Sequence, residues 1–431
     1  TLQTEPIAQL MTLGLASGSV LYLNSGLSYS LYFGLIWDDL CRFMSVLLCL
    51  SGIGALGISI NALKRFSRYE YIMLLWLSVV GMLCLIKSYS LLSFYLSIEL
   101  QSLSFYMLAA MRSRSEASAE AALKYFILSA FSSAMLLLGM ALIYRGIGSQ
   151  SLADLGIAMD HFGIVPEHEQ IGVYVGLGCI SISLLFKLGA APFHAWIADV
   201  YEGSHTSITA WFAITAKIAI ATVLIRINSS YTLVSLLTGV SVISLLVGSL
   251  SGLRQVKIKR LIAFSAVTNA GWLVLALSIG QWPLMMIHLI IYILLSVNLF
   301  SIFILPEFRS LPHVGYRGRL LKASNEVDLG VDSSTIKYIS DLNQLYKTNP
   351  SLAFAVSISM FSLSGIPPLA GFYSKYLIIN AVVQTEQWLV LGIALGAAVM
   401  SAFYYIRVVK TIYFNTSERW FTLDELGINS Y

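Results

Sequence analysis

The chain has 431 residues, of which 57% are hydrophobic and 11% are charged, and its net charge is +4. Soluble domains carry about 25% charged residues. Here the apolar residues form runs of about 20, the length that a helix needs to cross a bilayer. These features exclude an ordinary soluble domain and predict an all-α polytopic membrane protein. The positive charge does not indicate nucleic-acid binding, because the basic residues lie mostly in short connections between the apolar runs.

Taken in chain order, the apolar runs predict twelve membrane spans. They cover residues 7–23, 40–62, 70–87, 89–111, 121–144, 171–191, 206–226, 232–252, 260–279, 283–305, 350–384 and 388–412. Lysine and arginine are concentrated in alternate connections. The basic set comprises Lys64, Arg65, Arg68, Arg112, Arg114, Arg254, Lys257, Lys259, Arg260, Arg309, Arg317, Arg319, Lys322, Lys337 and Lys347. The positive-inside rule places this set, and both termini, on the cytoplasmic or matrix side.

Two of the predicted spans are interrupted by proline. Residues 350–384 are too long for a simple span and contain Gly365-Ile366-Pro367-Pro368, and the sixth span is broken at Pro192. Proline removes an amide donor and blocks the helix, so the freed carbonyls can face an aqueous cavity. Interrupted spans at matching places in two halves are typical of transporters built from inverted repeats. We therefore predict one transmembrane domain, residues 1–431, with a first repeat at 70–226 and a second at 232–412, each of five helices.

Residues 306–349 form the longest polar stretch. We interpret them as a surface insertion with at most a short helix around Ile336–Tyr346. A tolerated insertion is the simpler explanation, and a functional lid is the alternative.

A charge within an apolar span costs roughly 2.5–3.5 kcal/mol on insertion scales, and three such charges are the main candidates for function. They are Glu99, Lys187 and Lys217. Burial disfavours the charged form of a lysine and a nearby carboxylate favours it, so movement of Glu99 relative to Lys187 would load or release a proton. We predict that both lysines are proton-relay sites. The alternatives are a structural ion pair for Glu99 and snorkelling side chains for the lysines.

Further candidates are less specific. Lys375 follows the second proline break and is a candidate terminal relay site, with snorkelling as the alternative. Lys124 is either an interface anchor or a proton uptake point. His194, two residues after Pro192, could bridge between lysines because its unperturbed pKa is near 6.5, or be structural, whereas His288 looks structural.

The sequence offers little support for other chemistry. Asp199 and Glu202 lie at the membrane edge, where they could guide protons or cap the next helix. The four cysteines fall in apolar runs without CxxC spacing, which favours small buried hydrophobic roles over a disulfide framework or metal site. No glycine-rich phosphate loop or nucleophile elbow is present in the sequence.

Several stretches resemble the antiporter-like subunits of respiratory complex I (NADH:ubiquinone oxidoreductase). They are SIELQSLSFYMLAAM, EAALKYFILSAFSSAMLLLGMALIY, FKLGAAPFHAWIADVYEGS, TAKIAIATVLIRI, IKRLIAFSAVTNAGW and SLSGIPPLAGFYSKYLII, in this order from Ser97 to Ile379. Weaker similarity extends from about Tyr71 to Tyr413. The resemblance implies an antiporter-like bundle that translocates protons and binds no redox cofactor itself. FMN, iron–sulfur clusters and ubiquinone are then expected in other subunits.

By position, the resemblance implies a role for each candidate. Glu99 corresponds to the functional carboxylate of the family, Lys187 to its partner, Lys217 to the central relay and Lys375 to the exit-side lysine. His194 falls on a histidine that is common there.

The chain departs from the family pattern in three places. The family typically has about fourteen spans, so the resemblance implies one further span beyond each end of the twelve predicted here. The chain reads EGSHTSIT where relatives often read EGSPTPVT, so His205 and Ser207 replace prolines and put the start of the seventh span in question. His288 matches no family site.

The resemblance thus implies a hetero-oligomeric membrane-arm subunit in the mitochondrial inner membrane, or alternatively in a bacterial plasma membrane. Redox energy released elsewhere in the complex would shift the Glu99–Lys187 pair and drive a proton through Lys217 toward Lys375. A cation/proton antiporter of the same fold is one alternative function. A mainly structural membrane subunit is another.

Overall fold

The structure, a computed structural model, describes residues 4–24, 34–66, 69–112, 115–160, 167–230, 233–304 and 337–415. Within these ranges the regular elements are helices, joined by three isolated β-bridges. The first nine are α1 Thr4–Asn24, α2 Asp39–Phe66, α3 Tyr69–Lys87, α4 Leu91–Ala109, α5 Glu116–Ile147, α6 Leu152–Asp160, α7 Glu167–Leu188, α8 Ala195–Gly203 and α9 Thr206–Ile214. The next four are α10 Ala216–Ser230, α11 Val234–Leu253, α12 Ile258–Ser278 and α13 Trp282–Ile304. A 3₁₀ helix, Ile339–Leu342, precedes α14 Leu345–Thr348, α15 Pro350–Ser364, α16 Ala370–Gln384 and α17 Trp388–Tyr413.

The predicted membrane architecture is confirmed at the level of the helices. Within the described residues, 10 helices are long and apolar enough to cross a membrane, and α9 with α10 counts as one of them. Two further predicted spans correspond to shorter apolar helices, Met11–Tyr22 and Pro350–Ser364. The division into two inverted repeats stays a prediction.

Helices α9 and α10 form the centre of the bundle. Every residue from Gly203 to Ile227 is buried, although the segment is as apolar as a lipid-facing span. The outer helices instead expose large apolar side chains, such as Ile171 at 71%, Leu389 at 74% and Val399 at 72%. Such exposure is expected where acyl chains, rather than water, cover a helix.

Helices α5 and α7 pack antiparallel and unusually close. A Cβ atom on Gly139 would lie 2.5 Å from the carbonyl oxygen of Gly176, and one on Gly176 would lie 2.8 Å from that of Gly139. Small residues allow such backbone approach in lipid. The same register brings Ser132 Oγ to 2.9 Å from Ser183 Oγ. This register therefore also places the last turn of α7, which carries Lys187, against α5.

Both predicted breaks are present, and they have the same backbone form. Helix α7 ends before Gly189 (φ +83°) and α15 ends at Gly365 (φ +87°), both in the left-handed region that glycine adopts without steric cost. Cis peptide bonds follow at Ala191-Pro192 and Pro367-Pro368. The segment after each break continues as a second helix, α8 or α16.

The polar insertion is only partly within the described residues, because residues 305–336 lie outside them. The remainder forms the 3₁₀ helix and α14, close to the predicted short helix around Ile336–Tyr346. This segment docks on the loop before α12, since Ile258 N donates to Lys337 O at 3.0 Å and Ile339 N donates to Val256 O at 3.0 Å.

Candidate functional site

Lys187, in the last turn of α7, points into the protein. Its side chain is buried, its Nζ donates to Ser129 Oγ on α5 at 2.5 Å, and it lies 6.0 Å from the centroid of the Tyr106 ring. The close packing of α5 on α7 is what brings Ser129 within reach. The snorkelling alternative for this lysine is wrong, because the ammonium group is held between helices and is not extended toward an interface.

Glu99, on α4, interacts electrostatically with Lys187. Among the described residues, no ion pair within 4.0 Å joins them, and the buried Glu99 Oε1 has no hydrogen-bond partner. Glu99 thus acts on Lys187 through its charge, without a direct ion pair between the two side chains among the described residues. The structural ion pair considered for Glu99 is absent in this conformation.

Lys217 lies at the start of α10, directly after Thr215 interrupts the central span. Its side chain is 3% exposed. The ammonium donates to Tyr292 Oη at 3.0 Å and to the Ala266 carbonyl at 3.3 Å, and it lies 4.2 Å from the centroid of the Tyr292 ring. Neutral oxygens and an aromatic face therefore hold this cation, and none of the described carboxylates forms an ion pair with it.

One cavity joins Lys187 to Lys217. Its water-accessible volume is about 20 Å³, and both lysines line it. Gln101, Ser102 and Tyr201 are among its other lining residues. A volume of roughly 10–15 Å³ is enough to hold one water when polar partners surround it. The cavity is therefore large enough for one water, and both lysines are among the residues that line it.

Lys375, on α16, reaches back to the broken end of α15. Its Nζ donates to the carbonyls of Leu363 at 2.6 Å and Ser364 at 3.1 Å, and the side chain is 7% exposed. These carbonyls belong to the last turn of α15, where helical partners are missing and the helix dipole is negative. The snorkelling alternative is wrong here too, because the interrupted helix itself supplies the acceptors.

His288 contacts the helix that carries Lys375, a position that sequence reasoning missed. Its ring is buried on α13, and its Nδ1 lies 3.0 Å from Ser374 Oγ, next in sequence to Lys375. Its Nε2 has no hydrogen-bond partner among the described residues. The available signal was the four-residue spacing to Tyr292, which places both side chains on one face of α13. That spacing carries meaning only once Tyr292 is known to contact Lys217.

Among the described residues, no hydrogen bond joins His194 to a lysine. It lies in the break between α7 and α8, half-buried, with its ring 6.3 Å from that of Phe264 and its Nδ1 unpartnered there. Its relay role stays a prediction.

Asp199 and Glu202, on α8, form an ion-pair network with basic residues of α5, of α12 and of the position just before α12. Asp199 contacts Lys124 at 2.9 Å and Arg260 at 2.9 Å, while Glu202 pairs with Lys257 and Arg260. Neither caps α9, so that alternative is wrong. The cap is His205, whose Nδ1 accepts from Ser207 N at 3.3 Å. The seventh span thus begins normally despite the two departures from the family pattern.

Comparison with known proteins identifies the family. The family model described as "NADH:quinone oxidoreductase/Mrp antiporter, TM" matches residues 88–401. NADH-ubiquinone oxidoreductase chain 2 of Oenothera berteroana is 36% identical over 424 residues, with 96% of this chain and 81% of the relative covered. The Marchantia polymorpha chain 2 is 39% identical, with 90% and 76% covered. NADH-quinone oxidoreductase subunit N 1 of Rhizobium meliloti is 34% identical, with 88% and 75% covered.

Solved structures agree with this assignment. A chain of respiratory complex I from Thermus thermophilus with bound aureothin superposes with a TM-score of 0.79 at 28% identity, covering 96% of this chain and 86% of that one. A chain of the Mrp complex from Dietzia sp. superposes with a TM-score of 0.80 at 19% identity, covering 96% and 76%, and so shows the fold alone. The resemblance found in the sequence is confirmed, and the chain belongs to the NADH:quinone oxidoreductase/Mrp antiporter family of membrane subunits.

Proposed function

We propose that this chain is a proton-translocating membrane subunit of respiratory complex I and that Lys187, Lys217 and Lys375 carry the protons. The relatives that match most of the chain are named as chain 2 or subunit N of this enzyme. The observation that carries the proposal is the burial of three ammonium groups on neutral oxygens, two of them lining one cavity. Lysines held in this way can lose and regain a proton, whereas a lysine paired to a carboxylate is kept charged.

In this mechanism Glu99 controls the first step. An approach of Glu99 to Lys187 favours the protonated amine, and separation disfavours it, so the proton passes through the cavity water toward Lys217. The observed conformation, with Lys187 on Ser129 and Glu99 Oε1 unpartnered among the described residues, corresponds to the separated state. Lys217 then serves as the central site and Lys375 as the last one.

The partners are the other membrane-arm subunits of the complex, since the matched relatives are subunits of a multi-subunit enzyme. The location is the mitochondrial inner membrane or, as for the bacterial relatives, the bacterial plasma membrane. This chain is proposed to bind no redox cofactor, so FMN, iron–sulfur clusters and ubiquinone belong to other subunits.

The test is Lys217→Met in the assembled complex. Methionine fills a similar apolar volume and cannot carry a proton, and positioned acid–base groups contribute roughly 10²–10⁴-fold to proton transfer. We expect NADH-driven proton translocation to fall at least tenfold, with normal assembly on native gels. The matched control is Lys410→Met, which removes an exposed lysine of α17.

Unchanged proton-to-electron stoichiometry and rate in Lys217→Met would refute the relay. Sodium transport by the wild-type chain without NADH-linked electron flow would instead favour a cation/proton antiporter.

A further inference from the structure

Two basic residues lie at the ends of α2 and α3 that face away from the basic connections, here called the outer side. Helix α3 begins directly after Arg68 of the basic set and ends at Lys87, and α2 carries Arg42 three residues after its start. The two helix ends are joined, because Ile36 N donates to Lys87 O at 2.8 Å. The positive-inside rule leaves few basic residues on the outer side. The presence of these two therefore needs a separate explanation.

The Lys87 ammonium lies against two aromatic rings. Its Nζ donates to Tyr22 Oη at 3.2 Å, and it lies 4.9 Å from the centroid of the Tyr22 ring and 4.6 Å from that of Trp37. An ammonium carries three N–H donors, and among the described residues Tyr22 supplies the one acceptor. None of the described carboxylates forms an ion pair with Lys87. The cation is therefore held by aromatic faces and keeps donors for a further group.

One face of α2 adds further unmatched polar atoms. Arg42, Ser45 and Cys49 are spaced by three and four residues, so they share a face of the helix. An electrostatic interaction joins Cys49 to Lys87, which places this face on the side of α2 near Lys87. Arg42 Nε and Ser45 Oγ are buried, and neither has a hydrogen-bond partner within the part of the chain that the structure describes. Such buried polar atoms are rare without a partner, and so they indicate a missing acceptor.

The nearby carboxylates do not supply that acceptor. Asp39 Oδ1 lies 3.6 Å from Arg42 Nη1, and the Asp39 side chain is exposed. Asp38 is taken by Arg226 at 2.8 Å and by Cys41 N at 2.8 Å. The donors of Lys87 and Arg42 are thus left for an anion from outside the described residues.

The surface beside these donors is apolar. Leu21 on α1 and Phe43 and Leu50 on α2 are exposed, and acyl chains cover such side chains in a membrane span. Tyrosine and tryptophan are enriched at the depth of the lipid headgroups. Tyr22 and Trp37 therefore place the unmatched donors at headgroup depth, beside a surface for acyl chains. An anionic headgroup that carries acyl chains satisfies both features at once.

We propose that Lys87 and Arg42 bind the phosphate of an anionic phospholipid on the outer side of the membrane. The phosphate oxygens accept from the Lys87 ammonium and the Arg42 guanidinium, with the Ser45 hydroxyl as a third donor. The acyl chains lie over the exposed side chains of α1 and α2. The bound lipid fills the polar site where α1, α2 and α3 meet, and this role is independent of proton translocation.

The test is photolabelling of the assembled complex in phosphatidylcholine nanodiscs that contain a minor fraction of a phosphatidylglycerol probe, photoreactive beside its headgroup. Peptide mass spectrometry should locate the label in residues 20–22 and 37–46. Labelling there should fall roughly fivefold in Lys87→Gln, the contribution of one basic side chain near an anionic headgroup. Glutamine can keep the hydrogen bond to Tyr22, so the loss reports the charge. Lys87→Arg should retain the labelling.

The matched control is Arg145→Gln. It removes an exposed arginine at the outer end of α5, and labelling of residues 20–22 and 37–46 should stay at the wild-type level. If Lys87→Gln does not assemble, Arg42→Gln replaces it, with the same loss expected.

Unchanged labelling in the Lys87 or Arg42 variant would overturn the inference. Equal labelling by a phosphatidylcholine probe would do so too, because it would show contact with the bilayer in general. Excess unlabelled phosphatidylglycerol should displace the probe, whereas displacement by inorganic phosphate alone would assign the site to a free phosphate and overturn the lipid assignment. A wild-type complex without label at these residues would overturn it in favour of an acidic group from a neighbouring subunit.

Discussion

At the scale of single residues, the positions of the buried lysine ammonium groups are set by the oxygen atoms that accept their hydrogen bonds. Lys375 ends on the carbonyls of Leu363 and Ser364, and Gly365 makes this possible, because its left-handed backbone turns the chain away and leaves the carbonyls free. The Lys375 Cδ atom lies 3.1 Å from the position that a Cβ atom would take on Gly365. Glycine is therefore required both by the backbone angle and by the lysine that passes over it.

We predict that Gly365→Ala destabilises this break by about 1–2 kcal/mol, the cost of placing an L side chain in the left-handed region. Thermal unfolding of the purified complex would show a lower midpoint, and proton translocation would fall because Lys375 is displaced. Gly280→Ala is the matched control, since its backbone is also left-handed (φ +78°) but a Cβ atom there meets nothing within 4 Å. A loss of translocation in Gly280→Ala as large as in Gly365→Ala would contradict the specific role of Lys375.

At the scale of elements, α9 depends on its cap. His205 takes the place where a proline is common in relatives, and its ring nitrogen accepts from Ser207 N. A side-chain cap is worth about 1 kcal/mol to a helix, and α9 leads directly to the interruption that presents Lys217.

We therefore expect His205→Ala to destabilise the start of α9 by about 1 kcal/mol and His205→Asn to leave it unchanged. Hydrogen exchange of the amides of residues 206–209 in the assembled complex measures this, with faster exchange expected only in the alanine variant. Equal exchange in the two variants would show that the histidine acts through something other than capping.

At the scale of the whole molecule, Arg226 ties the first helices to the centre of the bundle. Its Nη2 pairs with Asp38 Oδ1 at 2.8 Å and its Nη1 donates to the Ser88 carbonyl at 3.3 Å. The same Asp38 oxygen accepts from Cys41 N at 2.8 Å and so caps α2. One arginine at the end of α10 thereby holds the connection before α2 and the end of α3.

We predict that Arg226→Met lowers the thermal stability of the complex by less than about 3 kcal/mol, because Asp38 is 24% exposed and water compensates part of the lost pair. Adding Asp38→Asn to this variant should cost little more, since the two groups act together. Thermal melting of the four combinations measures the coupling. Strictly additive losses would show that the two residues stabilise the protein separately.

Part of this protein could be predicted from its sequence alone. The length of the apolar runs determines the membrane class and most of the spans, because a bilayer admits only helices of that length. Proline and glycine at 189–192 and 365–368 determine where two helices break. The isolated charges in apolar runs point to Glu99, Lys187, Lys217 and Lys375, because such charges are too costly in lipid to be incidental.

The tertiary structure decided what those residues contact. Whether Lys187 meets Glu99 or Ser129 depends on how closely α5 and α7 pack, and the Gly139–Gly176 contact sets that distance. His288 looked structural because a histidine in an apolar run has no local partner in sequence. Its partner Ser374 lies on α16, and Tyr292, on its own helix, contacts Lys217 of α10, so these groups come together only when the helices pack. Contacts between helices distant in the chain are set by packing, and the local pattern of a sequence does not contain them.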